Sequence, residues 1–286
     1  MDVKVNELEA KYGVFFNRFI ENIINAGNNG GDQVTNNLKN FVYDSDIQTI
    51  YKKVNEKYPD LTKESIDLEN ALKRYHVILP NKVVPAVTTF ISGFSYTIAV
   101  TDSTLGIGLD MYMGNDFAFY DMLRFPQFKK NRLTRKYLVK DALMGWLQSE
   151  YMKSENEKTF LSHIIYQGKL LYVLEQLLPE SKPSTLIGYD EKHWKWCRAN
   201  EESMWAHFIS NKLLYTTLYG EYHKYINEGP FTPGFDRESP DQTGYYMGWQ
   251  IVKSYMANNP NTNIEELLNL DDSKSLLSKS GYKPQK

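Results

Sequence analysis

Residues 159–179 read TFLSHIIYQGKLLYVLEQLLP. At about 100° per residue, Phe160, Ile164, Leu171, Leu174 and Leu178 fall on one side of a helix. Ile165, Tyr172 and Leu177 lie outside that stripe, so the helix is apolar most of the way round. A helix of this kind is expected at the centre of a domain, and Pro179 ends it. His163 and Gln167 stand at i and i+4 on the inward side, the spacing at which HExxH proteins place two zinc-binding histidines. Here Ile164 replaces the general-base Glu and Gln167 the second His. The stretch has the shape of a metal helix without its ligands.

Around that helix the chain offers 286 residues, enough for one large domain or two small ones. The 21 Tyr and 14 Phe point to aromatic-rich packing or an extended contact surface. A net charge of −2 with no basic stripe argues against nucleic-acid binding. The single cysteine, Cys197, excludes an internal disulfide and a multi-Cys zinc site. Between Trp196 and Arg198 it reads as a buried structural thiol. No apolar run approaches the roughly 18 residues that span a membrane, and MDVKVNELEA lacks the apolar core of a signal peptide. Taken literally the chain is cytosolic; a removed start would leave the compartment open.

The first 80 residues read as helical. Leu8, Tyr12, Phe15, Phe16 and Phe19 recur at helical spacing, and residues 26–31 (AGNNGG) end that helix in a flexible loop. Asp44 or Asp46 caps a second helix through Tyr58, and Ser65 opens a third that finishes before Pro80. Val83–Ile91, Tyr96–Thr101 and Leu105–Met113 then change the pattern to β-branched strands. They are expected to form a small antiparallel sheet, the last two strands joined by a turn at Asp102-Ser103. Pro85 makes the first strand begin late or lie at an edge. Helices return after an aromatic turn (Phe117, Phe119, Tyr120): about Thr134–Met152, the central helix, Asp190–Asn211, Tyr215–Asn227, Tyr245–Met256 and two short ones. Pro183–Tyr189 reads as loop. Residues 229–244 (GPFTPGFDRESPDQTG) are irregular and long enough to suspect a function.

Several stretches, in order, carry a resemblance: KYGVFFNRFIENII, IGLDMYMGND with Tyr120, YQGKLLYVLEQLLP, IGYDEKHWKWCRANEESMWAHF, INEGPFTPGF, GYYMGWQIVKSYM and SGYKP. Together they resemble the gliding-motility lipoprotein B family, GldB, over residues 11–284. The resemblance implies a lipoprotein of the cell envelope, facing the periplasm and anchored through an N-terminal acylated Cys that this chain does not contain. That anchor would be its only membrane contact. Its partners would be other envelope proteins of gliding or secretion machinery. The family also looks distantly like zinc peptidases with HExxH on the equivalent helix, a pair generally absent from GldB relatives.

A catalytic zinc needs about three protein ligands, an open position and a base; only His163 is offered, and a satisfied core histidine is preferred. Asp110, on a strand, points opposite Leu109 and Met111 and reads first as a buried hydrogen-bond acceptor, with Tyr112 its companion in any cleft. Lys169 points away from the main apolar stripe and reads as solvated. If that side is covered, its ammonium needs a carboxylate, with Asp110 the guess. Gly244 and Gly248, four apart, permit close helix packing, while Tyr246 and Trp249 supply core aromatics or a groove surface. Asp110, Tyr112, His163, Gln167, Lys169, Tyr246 and Trp249 are thus the binding candidates, with no catalytic or metal-ligating residue and no cofactor.

The fold expected is α+β: a single domain over residues 1–286, predominantly helical, with a small antiparallel sheet. In it a helical layer, residues 1–80, packs on a zincin-like core, residues 81–286. The expected function is a non-catalytic envelope lipoprotein that supports gliding or secretion by binding proteins. The alternatives are a zinc-dependent peptidase-like hydrolase using His163, and peptide or sugar binding in a vestigial cleft.

Overall fold

The computed structural model describes residues 5–27 and 32–285. Val5–Tyr12 (α1) and Val14–Arg18 (α2) are separated at Gly13, whose φ of +52° few other residues adopt. The chain continues through a π-helical turn, Phe19–Ile23. Of the expected loop at 26–31, residues 28–31 lie outside the described residues. Asp32–Tyr43 (α3) was not anticipated; its buried residues are only Val34 and Leu38, too thin a stripe to read. Ser45–Lys57 (α4) is capped by Asp44, not Asp46: its carboxylate accepts Asp46 N and Ile47 N at 2.9 and 3.0 Å. Thr62–Ile78 (α5) ends before Pro80, as expected.

Three strands follow, Ala86–Phe90 (β1), Ile98–Val100 (β2) and Thr104–Gly108 (β3). The sheet is mixed, which corrects the antiparallel expectation. β3 lies in the middle, parallel to β1 and antiparallel to β2. The physical reason is in β3 itself. A Cβ on Gly106 would lie 2.4 Å from the Phe15 ring, and one on Gly108 would lie 2.1 Å from Tyr96 O. With no side chain at Gly106 or Gly108, β3 can be enclosed on both sides, so it takes the central place that sequence order assigns to β2. β1 begins after Pro85 and is an edge, as expected.

A 3₁₀ turn, Leu109–Tyr112, replaces the second half of the expected third strand. Then come Ala118–Met122 (α6), Gln127–Lys130 (α7), Leu138–Glu150 (α8) and Phe160–Leu177 (α9). Thr159 Oγ1 caps α9 by accepting Ser162 N at 3.1 Å, and the helix stops ahead of Pro179 because a residue preceding proline resists helical dihedrals. Pro183–Ile187 is helical (α10), not loop; a proline in the first turn has no N–H to lose there. The expected helix 190–211 is two, Glu191–Ala199 (α11) and Glu201–Ser210 (α12), broken at Asn200. Of 215–227 only Tyr219–Tyr222 (α13) and a 3₁₀ turn are helical. Thr243–Asn258 (α14), Ile264–Asn269 (α15) and Ser273–Ser280 (α16) complete the order.

The core is centred on α9, where Phe160, Leu161, Ile164, Leu170, Val173, Leu174 and Leu177 are wholly buried. Its main partner is α14. A Cβ on Gly248 would lie 1.8 Å from Ile164 O, and one on Gly168 would lie 2.4 Å from the Gly248 carbonyl, so the two backbones touch. α4, α5, α8 and the sheet enter the same core, while Phe16, Ile20, Val34 and Leu38 form a satellite cluster under α1–α3. Glu201, buried at the start of α12, accepts from Tyr246 OH and Tyr282 OH, each at 2.8 Å, and from Gln285 N at 3.1 Å. Cys197 is fully buried, and desolvation pushes its thiol well above the usual range, which suits a structural residue.

Candidate binding cleft

A cleft of about 600 Å³ opens between β2 and α8. Its floor is Met111, Met144 and Gly145. A Cβ on Gly145 would lie 2.7 Å from Ile98 Cγ2, so the absent side chain lets β2 settle onto α8. Gly108 N donates to Thr97 O at 2.8 Å and Thr101 N to Thr104 O at 2.9 Å. Because antiparallel pairs alternate, the main-chain N–H and C=O groups of Ile98 and Val100 turn away from β3, toward the cleft. Among the described residues β2 has no strand on that side. One wall is therefore a row of open backbone donors and acceptors.

The facing wall is polar and fixed by charge. Arg132 pairs with Asp241 Oδ1 at 2.5 Å, and Asp241 Oδ2 accepts Gly229 N at 2.8 Å, which pins the loop 229–242 against α7 and α10. Asp141 accepts from Tyr112 OH at 3.1 Å and pairs with Lys140 at 2.6 Å. Lys129, at the mouth, lies 4.5 Å from the Phe125 ring and has no carboxylate within ion-pair distance among the described residues. Gln148, one turn beyond Met144 on α8, also lines the cleft.

The seven sequence candidates disperse. Tyr112 is wholly buried behind the floor, its OH on Asp141. Gln167 Nε2 reaches Met144 Sδ at 3.7 Å, so it supports the floor from α9. Asp110 is wholly buried beside Met111, in the 3₁₀ turn and not on a strand. It accepts from Phe94 N at 2.7 Å, Ser92 N at 3.1 Å and Ser92 Oγ at 3.1 Å, holding the β1–β2 connection. Desolvation raises its carboxyl above the usual range, against those hydrogen bonds.

The others lie elsewhere. The inward placement of His163 is corrected: it is half-buried, its ring 5.3 Å from that of Tyr222. Desolvation, with Lys153 second, pushes it down to about 4, so it is neutral at pH 7. Lys169 is corrected in the opposite sense. It is 6% exposed, and Nζ donates to Leu268 O at 2.9 Å and Leu270 O at 2.8 Å, not to Asp110. The physical reason is α15, a short helix that covers the side of α9 left bare by the stripe argument. Tyr246 and Trp249 are core residues, the first edge-on to Trp194 at 5.5 Å and the second tilted against it at 5.9 Å.

The residues that line the cleft, Asp141, Met144 and Gln148 on α8, escaped the sequence reading. Their signal was available: polar Asp141 and Gln148 sit three before and four after Met144 on one face of α8. Among the described residues no group of three His, Cys, Asp or Glu side chains is arranged to hold a metal ion. No helix of the described residues is long and apolar enough to cross a membrane. A larger groove of about 850 Å³ runs between α5 and β1; its surface is mostly apolar, and Glu64 and Lys73 on its lining are already paired with Arg135 and Glu69.

No curated protein and no solved structure matches the chain. A family model described as gliding motility protein GldB matches residues 1–284. That span takes in β1–β3, α8, α9 and the pinned loop, every element that shapes the cleft, and the chain belongs to the family of the gliding motility protein GldB.

Proposed function

We propose that this chain is a non-catalytic component of the cell envelope that holds an extended polypeptide segment of a gliding or secretion protein along β2. The observation that carries the reading is the open edge of β2 above the Met111–Met144 floor. An added strand would satisfy the main chain of Ile98 and Val100 while its alternate side chains enter the cleft. Lys129, a cation without a carboxylate, favours an acidic residue at the mouth. The groups at the floor are thioethers and an amide, and Asp141 is already committed to Lys140 and Tyr112. Such a set offers contact surface and no free general base. In this reading a lipid anchor holds the protein at the membrane, facing the periplasm, as one domain in which a helical layer, residues 1–80, packs on residues 81–286.

The test is Val100→Pro, which removes one outward N–H and leaves the bonds to β3 in place. Thermal unfolding is expected to move by no more than a few degrees, about 1 kcal/mol. Complementation of a null strain and photo-crosslinking from position 148 to an envelope protein are expected to fail together. Normal complementation by a folded Val100→Pro protein overturns the reading.

A further inference from the structure

A second pocket, about 390 Å³, lies on the opposite side of α9 from α14's backbone contact. It is bounded by the end of α8, the segment 152–159, α9, and the turn between α15 and α16. Two lysines line it, one buried and one half-buried. Lys169 donates to Leu268 O and Leu270 O; Lys153 donates to Ser154 O at 3.3 Å and to Glu157 O. An ammonium has three donors, and these bonds use two on each.

Neither ammonium has a carboxylate within ion-pair distance among the described residues, although three carboxylates line the same pocket. Glu157 accepts Ser273 N with both oxygens at 3.3 Å, at the start of α16. Glu150 pairs with Lys82 at 3.4 Å. Asp271 is exposed. A desolvated cation answered only by carbonyls is an incomplete arrangement, because buried charges are ordinarily paired.

We propose that this pocket binds a small ligand through an anionic oxygen group, a carboxylate or a phosphate, taken by the remaining donor of Lys169 with Lys153 supplying positive potential at the rim. The volume sits at the small end of ligand pockets, suited to a metabolite and not to a protein segment. Three neighbouring groups are shifted chiefly by burial. Desolvation pushes Lys169 down to about 8 and also lowers Lys153, while Asp271 and Glu157 only partly oppose it. His163 is lowered by desolvation and then by Lys153.

The experiment is isothermal titration of the full chain with inorganic phosphate and, separately, with succinate. At least one anion is expected to bind at millimolar concentration or tighter. Lys169→Met should weaken it by about tenfold or more, equivalent to about 1.4 kcal/mol. Lys153→Met should weaken it less, and Lys73→Met, on the far side of α5, not at all. The stronger of the two anions identifies the group. Should Lys169→Met fail to fold, Lys153→Met decides, together with the Lys169 Nζ resonance, whose pKa a bound anion raises. No binding of either anion, or binding that both pocket variants leave unchanged, overturns the proposal and leaves Lys169 as a cap on the last carbonyls of α15.

Discussion

Gly168 and Lys169 are adjacent on α9 and meet the protein in opposite ways. At Gly168 the helix touches α14 backbone to backbone, a contact defined by atoms that are missing. One residue on, Lys169 spans its full length to reach two carbonyls, a contact defined by a charge that the surroundings only half compensate. The first side of the helix is dry and close-packed; the second is polar, lined with pocket. A helix apolar most of the way round is therefore buried over most of its surface, yet burial alone does not say whether a given side is filled or left receptive.

The sharpest way to break the filled side is Gly248→Ala. Its Cβ would lie 1.8 Å from Ile164 O, an acceptor fixed in a helix backbone, so α9 and α14 must separate. A loss of about 3 kcal/mol or more is expected in urea unfolding, at the upper end for overpacking. Gly220→Ala, where a Cβ meets nothing within 4 Å, should instead be neutral or stabilising by up to about 1 kcal/mol. Equal effects at the two glycines would refute the close-packing account.

The receptive side is tested next by pH. Lys169 falls from 10.5 to about 8 on folding, which corresponds to about 3 kcal/mol against the charged form. Between pH 8 and 10.5 the unfolded lysine keeps a proton that the folded one has released, so stability attributable to this group rises with pH across that window. Unfolding at pH 7, 8.5 and 10 should show the rise in the wild type and not in Lys169→Met, relative to each protein's own value at pH 7. A parallel pH profile in the two proteins would mean that the ammonium is not desolvated.

His163 gives the smallest effect, on the acid side. Folded, it stays neutral down to about 4, whereas the unfolded side chain takes a proton near 6.5. Its contribution is therefore complete above pH 6.5 and is lost as pH falls from 6.5 to 4. His163→Gln should flatten that limb by about 1 kcal/mol, allowing for solvent around a half-buried ring. The same substitution at pH 7.5 should change little.

What the sequence revealed and what it hid follow from the same distinction. The central helix, its stop before Pro179, the hairpin at Asp102-Ser103, the edge position of β1 and the glycine pair of α14 were legible because each depends on local pattern. The parallel pairing of β1 was not, because it depends on which strand lacks side chains once all three are stacked. Lys169 was read as solvated because its covering helix, α15, is distant in sequence and short. The cleft was hidden for a related reason. Its principal wall is main chain, and no side-chain motif announces an unpaired strand edge; the side chains that do line it, Met144 and Gln148, belong to no known catalytic spacing.

The bonds that Glu201 makes set a timetable. Its partners Tyr246, Tyr282 and Gln285 lie 45 to 84 residues downstream, and α16 packs on α14. In a chain emerging from its N-terminal end, whether from a ribosome or a translocation channel, the α9–α14 core lacks the cover of α16 and Glu201 lacks two of its partners until residues 273–285 have followed. Until then α9, apolar on nearly every side, has no complete cover, and an incompletely folded chain of this size is prone to aggregation. The protein thus belongs to those whose folding is decided late, and chaperone contact with the unfinished chain would fall on the central helix.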